Sequence, residues 1–375
     1  MIGSDDFSNQ DALPDGLAHR RGAGLNPGNR FERVRLHVLG EELDRQYVER
    51  ENDDGSLKRV ERQVFSDRTR RIINRVSRTS DVPFNWTLNP YRGCEHGCIY
   101  CFARPYHEYL GMSCGLDFET KLMAKPEAPN LLKKELAALN WNPEPIVMSA
   151  VTDIYQPIEH EMRIARRCLE VLAECGQPVG TMTKSALVLR DTDLWSRLAE
   201  LNAGRVTVTL VTLDSELARK LEPRASSPAG RLRTIRELSA AGIPVSVNIA
   251  PIIPGLTDTE LPQIIEAVAD AGAKQAAWVM LRLPYQIKEL FLDWLDRSVP
   301  PDRARKVESQ IRQMYEGKLY KSSYAHRRGR GRLVEQLSQV FDVFTRKHGL
   351  NRHIRPLSAA HFRRPDTSGQ FELFS

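Results

Sequence analysis

The chain has 375 residues and 42.6 kDa, with 41% hydrophobic and 27% charged residues, a balance that supports one large or two medium domains and excludes wholesale disorder. No stretch reaches the roughly 18 uninterrupted apolar residues of a membrane helix, and the opening Met1-Ile-Gly-Ser-Asp-Asp lacks a signal pattern, so a soluble, cytoplasmic protein without a membrane partner is expected. The net charge of +6 is uneven: residues 1–83 hold 15 basic and 15 acidic residues, whereas residues 321–364 hold 11 basic and two acidic residues.

Residues 1–30 are rich in Gly, Asp, Asn and Pro without an apolar period, and are expected to form a flexible tail. Residues 31–84 mix short apolar runs with dense charge, which suggests an irregular N-terminal extension. From residue 85 strand and helix signals alternate. Short apolar runs predict strands over 86–89, 146–151, 179–183, 206–212, 245–250 and 276–283. Apolar residues three and four apart predict helices over 158–175, 193–201, 229–240 and 257–271. Such alternation means parallel strands joined by crossovers, so 85–284 is an α/β core, either an open doubly wound sheet or a barrel. Both architectures gather their sites at the C-terminal ends of the strands. Beyond residue 284 the strands stop. Residues 285–297, 301–315 and 333–346 read as helices of a basic region over 285–364, and 365–375 as a second flexible tail. The charge of 321–364 suits a phosphate-rich partner such as DNA, or is a solvated face.

Three of the six cysteines fall within eight residues, in Asn89-Pro-Tyr-Arg-Gly-Cys-Glu-His-Gly-Cys-Ile-Tyr-Cys101. Cys94, Cys98 and Cys101 follow the first core strand, with Gly93 and Gly97 allowing a tight loop. Zinc would need a fourth ligand, for which His96 and His107 are candidates. An iron–sulfur cluster held by three cysteines keeps one iron open for a substrate or cofactor. Cys168 and Cys175 lie on the apolar face of one predicted helix and read as core.

With Tyr100 as the aromatic residue before the third cysteine, this pattern resembles the signature of the radical SAM superfamily. The flanking residues through Phe102-Ala-Arg-Pro105 are similar to the bacterial spore photoproduct lyase-like branch, also called DNA repair photolyase-like. That likeness runs from Asn26 to the C-terminus and includes Ala360-His-Phe-Arg-Arg-Pro365. The resemblance implies a partial (β/α)6 barrel with a [4Fe-4S] cluster on Cys94, Cys98 and Cys101. It also implies S-adenosylmethionine on the open iron, cleaved to a 5′-deoxyadenosyl radical, and an electron donor of the flavodoxin or ferredoxin type.

The same resemblance points to strand ends for cofactor-binding residues: Tyr100 in the loop, Ser149, Thr152 and Asp153 after the second core strand, Lys184 and Ser185 after the third, Arg224 after the fourth and Asn248 in the fifth. Spore photoproduct lyases use a barrel cysteine as hydrogen donor. This chain has no cysteine between 115 and 167, which leaves Cys114 and Tyr155 as candidates and puts the thymine-dimer reaction in doubt. Three functions compete: a radical SAM enzyme acting on DNA, one acting on a small molecule or protein, and a non-catalytic, metal-stabilised nucleic-acid-binding protein. Finally, Gln370-Phe-Glu-Leu-Phe374 resembles the pentapeptide by which bacterial repair proteins dock on the sliding clamp, or folds back onto its own barrel.

Overall fold

The computed structural model describes residues 21–31, 62–77, 82–321 and 329–366. In chain order its strands are β1 (Gln63–Ser66), β2 (Ile73–Arg75), β3 (Trp86–Leu88), β4 (Tyr91–Arg92), β5 (Lys121–Ala124), β6 (Ile146–Met148), β7 (Val179–Thr183), β8 (Gly204–Thr209), β9 (Val245–Ile252) and β10 (Gln275–Met280). Seven form one sheet in the order β10-β9-β8-β7-β6-β3-β2. Six of these are mutually parallel and are the six the apolar runs predict; only β2 runs antiparallel, against β3. Helices cross over between the parallel strands, giving the partial (β/α)6 barrel. A separate small sheet, β1-β5-β4, stands beside the loop that follows β3.

Residue alternation decides what each sheet face does. Val179, Thr181 and Thr183 are buried, whereas Gly180 and Met182 between them are half-buried, and β8 and β9 repeat the pattern. The buried positions carry Val206, Val208, Val245, Val247 and Ile249 into the core. The half-buried register lines the inner face, where the large Met182 stands beside Thr207 and the polar Thr207 beside Ser246.

The single helix predicted over 158–175 is two, Ile158–Met162 and Ile164–Cys175, divided at Arg163, which has φ 50°. The break serves Glu159, a buried carboxylate. It accepts from Ala165 N and Arg166 N at the restarted helix (2.9 and 3.1 Å) and from the Tyr91 hydroxyl (2.6 Å). Sequence periodicity also missed the helices Ala128–Ala137 and Ser215–Leu221, the latter capped by Asp214.

The tail expected over 1–30 is loose in composition only, as far as residues 21–30 are described. Gly22 N and Ala23 N donate to the Glu119 carboxylate (3.0 and 2.8 Å), and Ala23 is fully buried. The basic C-terminal region divides between the two ends of the barrel. Tyr315 Oη donates to Leu281 O just past β10 (2.8 Å), and Arg330 N to Met314 O (3.1 Å). The helix Arg332–Lys347 then descends along the helix Leu261–Asp270. From there residues 351–364 cross the opposite end, beneath the strand starts. Asn351 bonds Ala276, Ser358 N donates to Asn202 O, Arg363 N to Cys175 O, and Arg364 to the carbonyls of Ala138, Leu139 and Trp141.

Candidate functional site

The cysteine loop leaves β3 at the C-terminal end of the sheet, and neighbouring elements hold it from every side. Asn89 O accepts from the buried Lys125 ammonium (2.9 Å) and Asn89 Oδ1 from Val151 N (3.2 Å). Gly93 and Gly97 adopt φ 78° and 67°. A Cβ on Gly97 would stand 2.7 Å from Glu119 Oε2, so glycine is required there. Gly93 O accepts from Thr152 Oγ1 (2.6 Å) and Gln156 Nε2 (3.3 Å), while Glu95 N donates to Gln156 Oε1 (2.9 Å). Cys94 N reaches Phe118 O (2.9 Å) and Ile99 N reaches Leu221 O (3.1 Å).

Cys94 and Cys98 are buried and Cys101 half-buried. Burial pushes the Cys98 and Cys101 thiols up, and the neighbouring thiols add to the shift. Among the described residues no three His, Cys, Asp or Glu side chains converge as the shell of one metal ion. The donor set is instead three soft sulfurs spread along one tight loop, with the Lys184 ammonium nearby. Burial alone would lower the lysine pKa, but Cys98, Glu222 and Cys101 outweigh burial and raise it. Sulfur donors in a dry, cation-bordered loop fit a three-cysteine iron–sulfur cluster.

Neither histidine is set as a fourth ligand. His96 Nδ1 lies 3.3 Å from Asp153 Oδ2. Burial opposes its protonation, yet Asp153 and Cys94 lift its pKa to about 10. His107 stands edge-on to Phe118, its Nε2 without a hydrogen-bond partner among the described residues, and burial holds it down to about 4.

Most of the sequence-predicted cofactor residues already have work in holding the loop. Tyr100 points its hydroxyl into the protein, onto Glu222, which is ion-paired with Arg231; Arg231 in turn donates to Thr209 O and Ser226 O (3.0 and 2.8 Å). Ser149 occupies φ 77° and bonds Thr181 Oγ1 (3.0 Å). Thr152 braces Gly93 O. Asp153 accepts from Thr183 Oγ1, Lys184 N and Tyr155 N (2.9, 2.8 and 2.9 Å) besides His96, so its oxygens are saturated. Burial raises the Asp153 pKa, but His96 and these donors outweigh it and keep the carboxylate low. Ser185 caps the turn Ala186–Asp191, and Arg224 pairs with the buried Glu95 (3.1 Å). Among the described residues, the Lys184 ammonium and the Asn248 side-chain amide make no hydrogen bond, although Cys98 and Glu222 attract the ammonium.

The two candidate hydrogen donors are not brought to the inner face. Cys114 is fully buried, its Sγ against Gln286 Oε1 (3.4 Å), and burial pushes its thiol up to about 12. Tyr155 accepts from Trp195 Nε1 (2.9 Å) on the outer helix Thr192–Glu200, so it packs in the helical layer, not the barrel interior. Residues 367–375, with the clamp-like pentapeptide, lie outside the described residues, as do 322–328. Sequence reasoning missed Glu119, Glu222, Gln156 and Lys125. Only Glu222 carried a signal, two residues before Arg224 in Leu221-Glu-Pro-Arg-Ala.

A family model described as the Radical SAM superfamily matches residues 88–268. An uncharacterized protein of Mycobacterium tuberculosis is 35% identical over 245 residues, covering 65% of this chain and 71% of that protein. A radical SAM Nalpha-GlyT isomerase of Pseudomonas phage M6 is 24% identical over 224 residues, 58% of this chain and 43% of the isomerase. Among solved structures, a spore photoproduct lyase complexed with dinucleoside spore photoproduct shares the fold with a TM-score of 0.56 and 15% identity, covering 76% of this chain and 80% of that one. No helix among the described residues is long and apolar enough to cross a membrane.

Proposed function

The chain belongs to the radical SAM superfamily, and on that premise we propose that it abstracts hydrogen from a nucleic-acid base in a lyase-like reaction. When bound, a [4Fe-4S] cluster and S-adenosylmethionine supply a 5′-deoxyadenosyl radical. The protein's part is to hold, orient and keep water out. Cys94, Cys98 and Cys101 would hold the cluster. Lys184 suits the methionine carboxylate, as a cation at the end of β7 whose ammonium makes no hydrogen bond among the described residues. Asn248, half-buried on β9, suits the ribose or adenine. Thr152, Gln156, Glu119 and Asp153 position the loop and are not assigned to the cofactor. Gly22 lies against Gly97 of the loop and would help to cover it.

The observation that carries the nucleic-acid reading is the fold shared with a lyase solved around a dinucleoside photoproduct. The polar inner face, with Thr207, Ser246 and Asn248 facing an open barrel, agrees with it. The one electron that cleavage of S-adenosylmethionine consumes would come from a donor of the flavodoxin or ferredoxin type.

The test is anaerobic incubation of the reconstituted protein with S-adenosylmethionine, reductant and DNA carrying deuterated bases. The expected result is deuterium in the 5′-deoxyadenosine. Formation of 5′-deoxyadenosine with no deuterium, unchanged by any oligonucleotide, would instead support a small-molecule or protein substrate.

A further inference from the structure

Four large rings stand exposed together beside the cysteine loop: Phe31 (53%), Tyr106 (54%), Tyr109 (66%) and Tyr285 (61%). Singly exposed apolar residues are ordinary, but three of these rings are linked through Tyr109, and Tyr285 joins them through Arg30. Ring centroids are 5.0 Å apart for Phe31 and Tyr109, and 6.4 Å for Tyr106 and Tyr109. The Arg30 guanidinium lies among them, 4.0 Å from the Tyr285 ring, 4.7 Å from Phe31 and 5.8 Å from Tyr109. Its Nε is anchored to Glu108 (3.1 Å), while its two terminal nitrogens make no hydrogen bond among the described residues.

Segments far apart in sequence build this surface: residues 30–31, the turn Arg104–Leu110 that follows Cys101, and the loop after β10. Tyr285 is held at φ 54°, a conformation a bulky residue rarely takes. The same loop touches the cluster-end part of the basic region, through Leu281 to Tyr315 and Arg282 to Tyr320 (3.5 Å). Lys321, Arg330 and the exposed Arg332 follow within that part. Among the described residues of this surface the exposed apolar side chains are aromatic rather than aliphatic. Flat rings flanked by cations are what an unpaired nucleic-acid strand needs: a π face for each base and a positive group for its phosphates.

We propose that Phe31, Tyr106, Tyr109 and Tyr285, with Arg30, form a stacking platform for unpaired bases of a DNA strand. The proposal rests on the nucleic-acid reading above and adds to it the form of the ligand. An enzyme that works on a base must draw it out of the duplex, at a cost in unpairing and unstacking. Rings at the mouth of the barrel offset that cost.

The test uses the full-length, cluster-loaded protein and fluorescein-labelled DNA, single-stranded and as the matching duplex, read by anisotropy. Single strands are expected to bind more tightly than duplex. The double variant Tyr109→Ala with Tyr285→Ala is expected to weaken single-strand binding at least about tenfold, with cluster absorption unchanged. Tyr285→Phe, which keeps the ring, is expected to bind as the parent does. A strand carrying 2-aminopurine, quenched when stacked, keeps the test open on the single variant Tyr109→Leu should the double variant melt early. Parent-like binding and quenching in these variants would overturn the platform while leaving the nucleic-acid reading standing. The same result with a lowered melting temperature would mean that the rings serve the stability of the fold and not a ligand. A parent protein that binds neither single-stranded nor duplex DNA would overturn both.

Discussion

The two ends of the barrel use charge in different ways. At the C-terminal ends of the strands, Glu95, Glu119, Glu159 and Glu222 are buried, and each faces an arginine. These pairs, spanning from 9 residues (Glu222 to Arg231) to 33 (Arg62 to Glu95), brace the cysteine loop from outside. At the N-terminal ends, residues 351–364 are mostly exposed, and Arg364 is spent on backbone carbonyls. One end stores geometry in desolvated ion pairs, where losing a partner is costly. The other closes the barrel with surface hydrogen bonds, each worth little. A concentration of positive charge in sequence is therefore no guide to where a phosphate-rich partner sits. Part of it straps the end away from the site.

The largest effect should come from breaking the clamp at the cluster end. Glu119→Gln would leave the fully buried Arg104 without its counter-charge and weaken the hold on Gly22 and Ala23. A loss of about 3–5 kcal/mol is expected, read from the urea midpoint. A loss below about 1 kcal/mol, the range of surface pairs, would erase the contrast between the ends.

A pH series sharpens the same contrast. Burial depresses the His107 pKa to about 4 from 6.5, so the unfolded chain takes up a proton first as pH falls. Its stabilising share is complete above pH 6.5 and is lost on descending toward 4. The parent should therefore lose about 3 kcal/mol more than His107→Phe between pH 7 and 4. Parallel melting curves for the two proteins over that range would contradict the assignment.

The smallest effect belongs to the far end. Arg364→Ala removes donors to the carbonyls of Leu139 and Trp141 (3.1 and 2.9 Å), and should cost about 1 kcal/mol while cluster absorption stays as in the parent. Loss of the cluster in this variant would mean that the strap shapes the site after all.

What could be read in the sequence was local. The three cysteines, their glycines and all six parallel strands announce themselves within windows of a few residues, because sulfur spacing and apolar runs are local signals. Ser149, Thr152, Asp153 and Arg224 also stand near strand ends, but hydrogen bonds engage the first three and an ion pair with Glu95 engages Arg224. A motif places a residue without showing what its oxygens already accept. Glu119 was beyond reach: its partners at Gly22 and Ala23 lie 97 and 96 residues away. The break at Arg163 was hidden because the apolar spacing continues through it, while the demand that causes it comes from buried Glu159. The aromatic surface was invisible for the same reason, being assembled from three segments that only the fold unites.

The central claim is that the loop of Cys94, Cys98 and Cys101 is the seat of radical chemistry. The most direct measurement is 5′-deoxyadenosine formation after anaerobic iron and sulfide reconstitution, with reductant and S-adenosylmethionine, for the parent protein and for Cys101→Ala. The parent should form 5′-deoxyadenosine and show the visible absorption of a cluster, and the variant should lose both. Stoichiometric zinc with no 5′-deoxyadenosine in the parent, or a cluster retained in Cys101→Ala, would contradict the account.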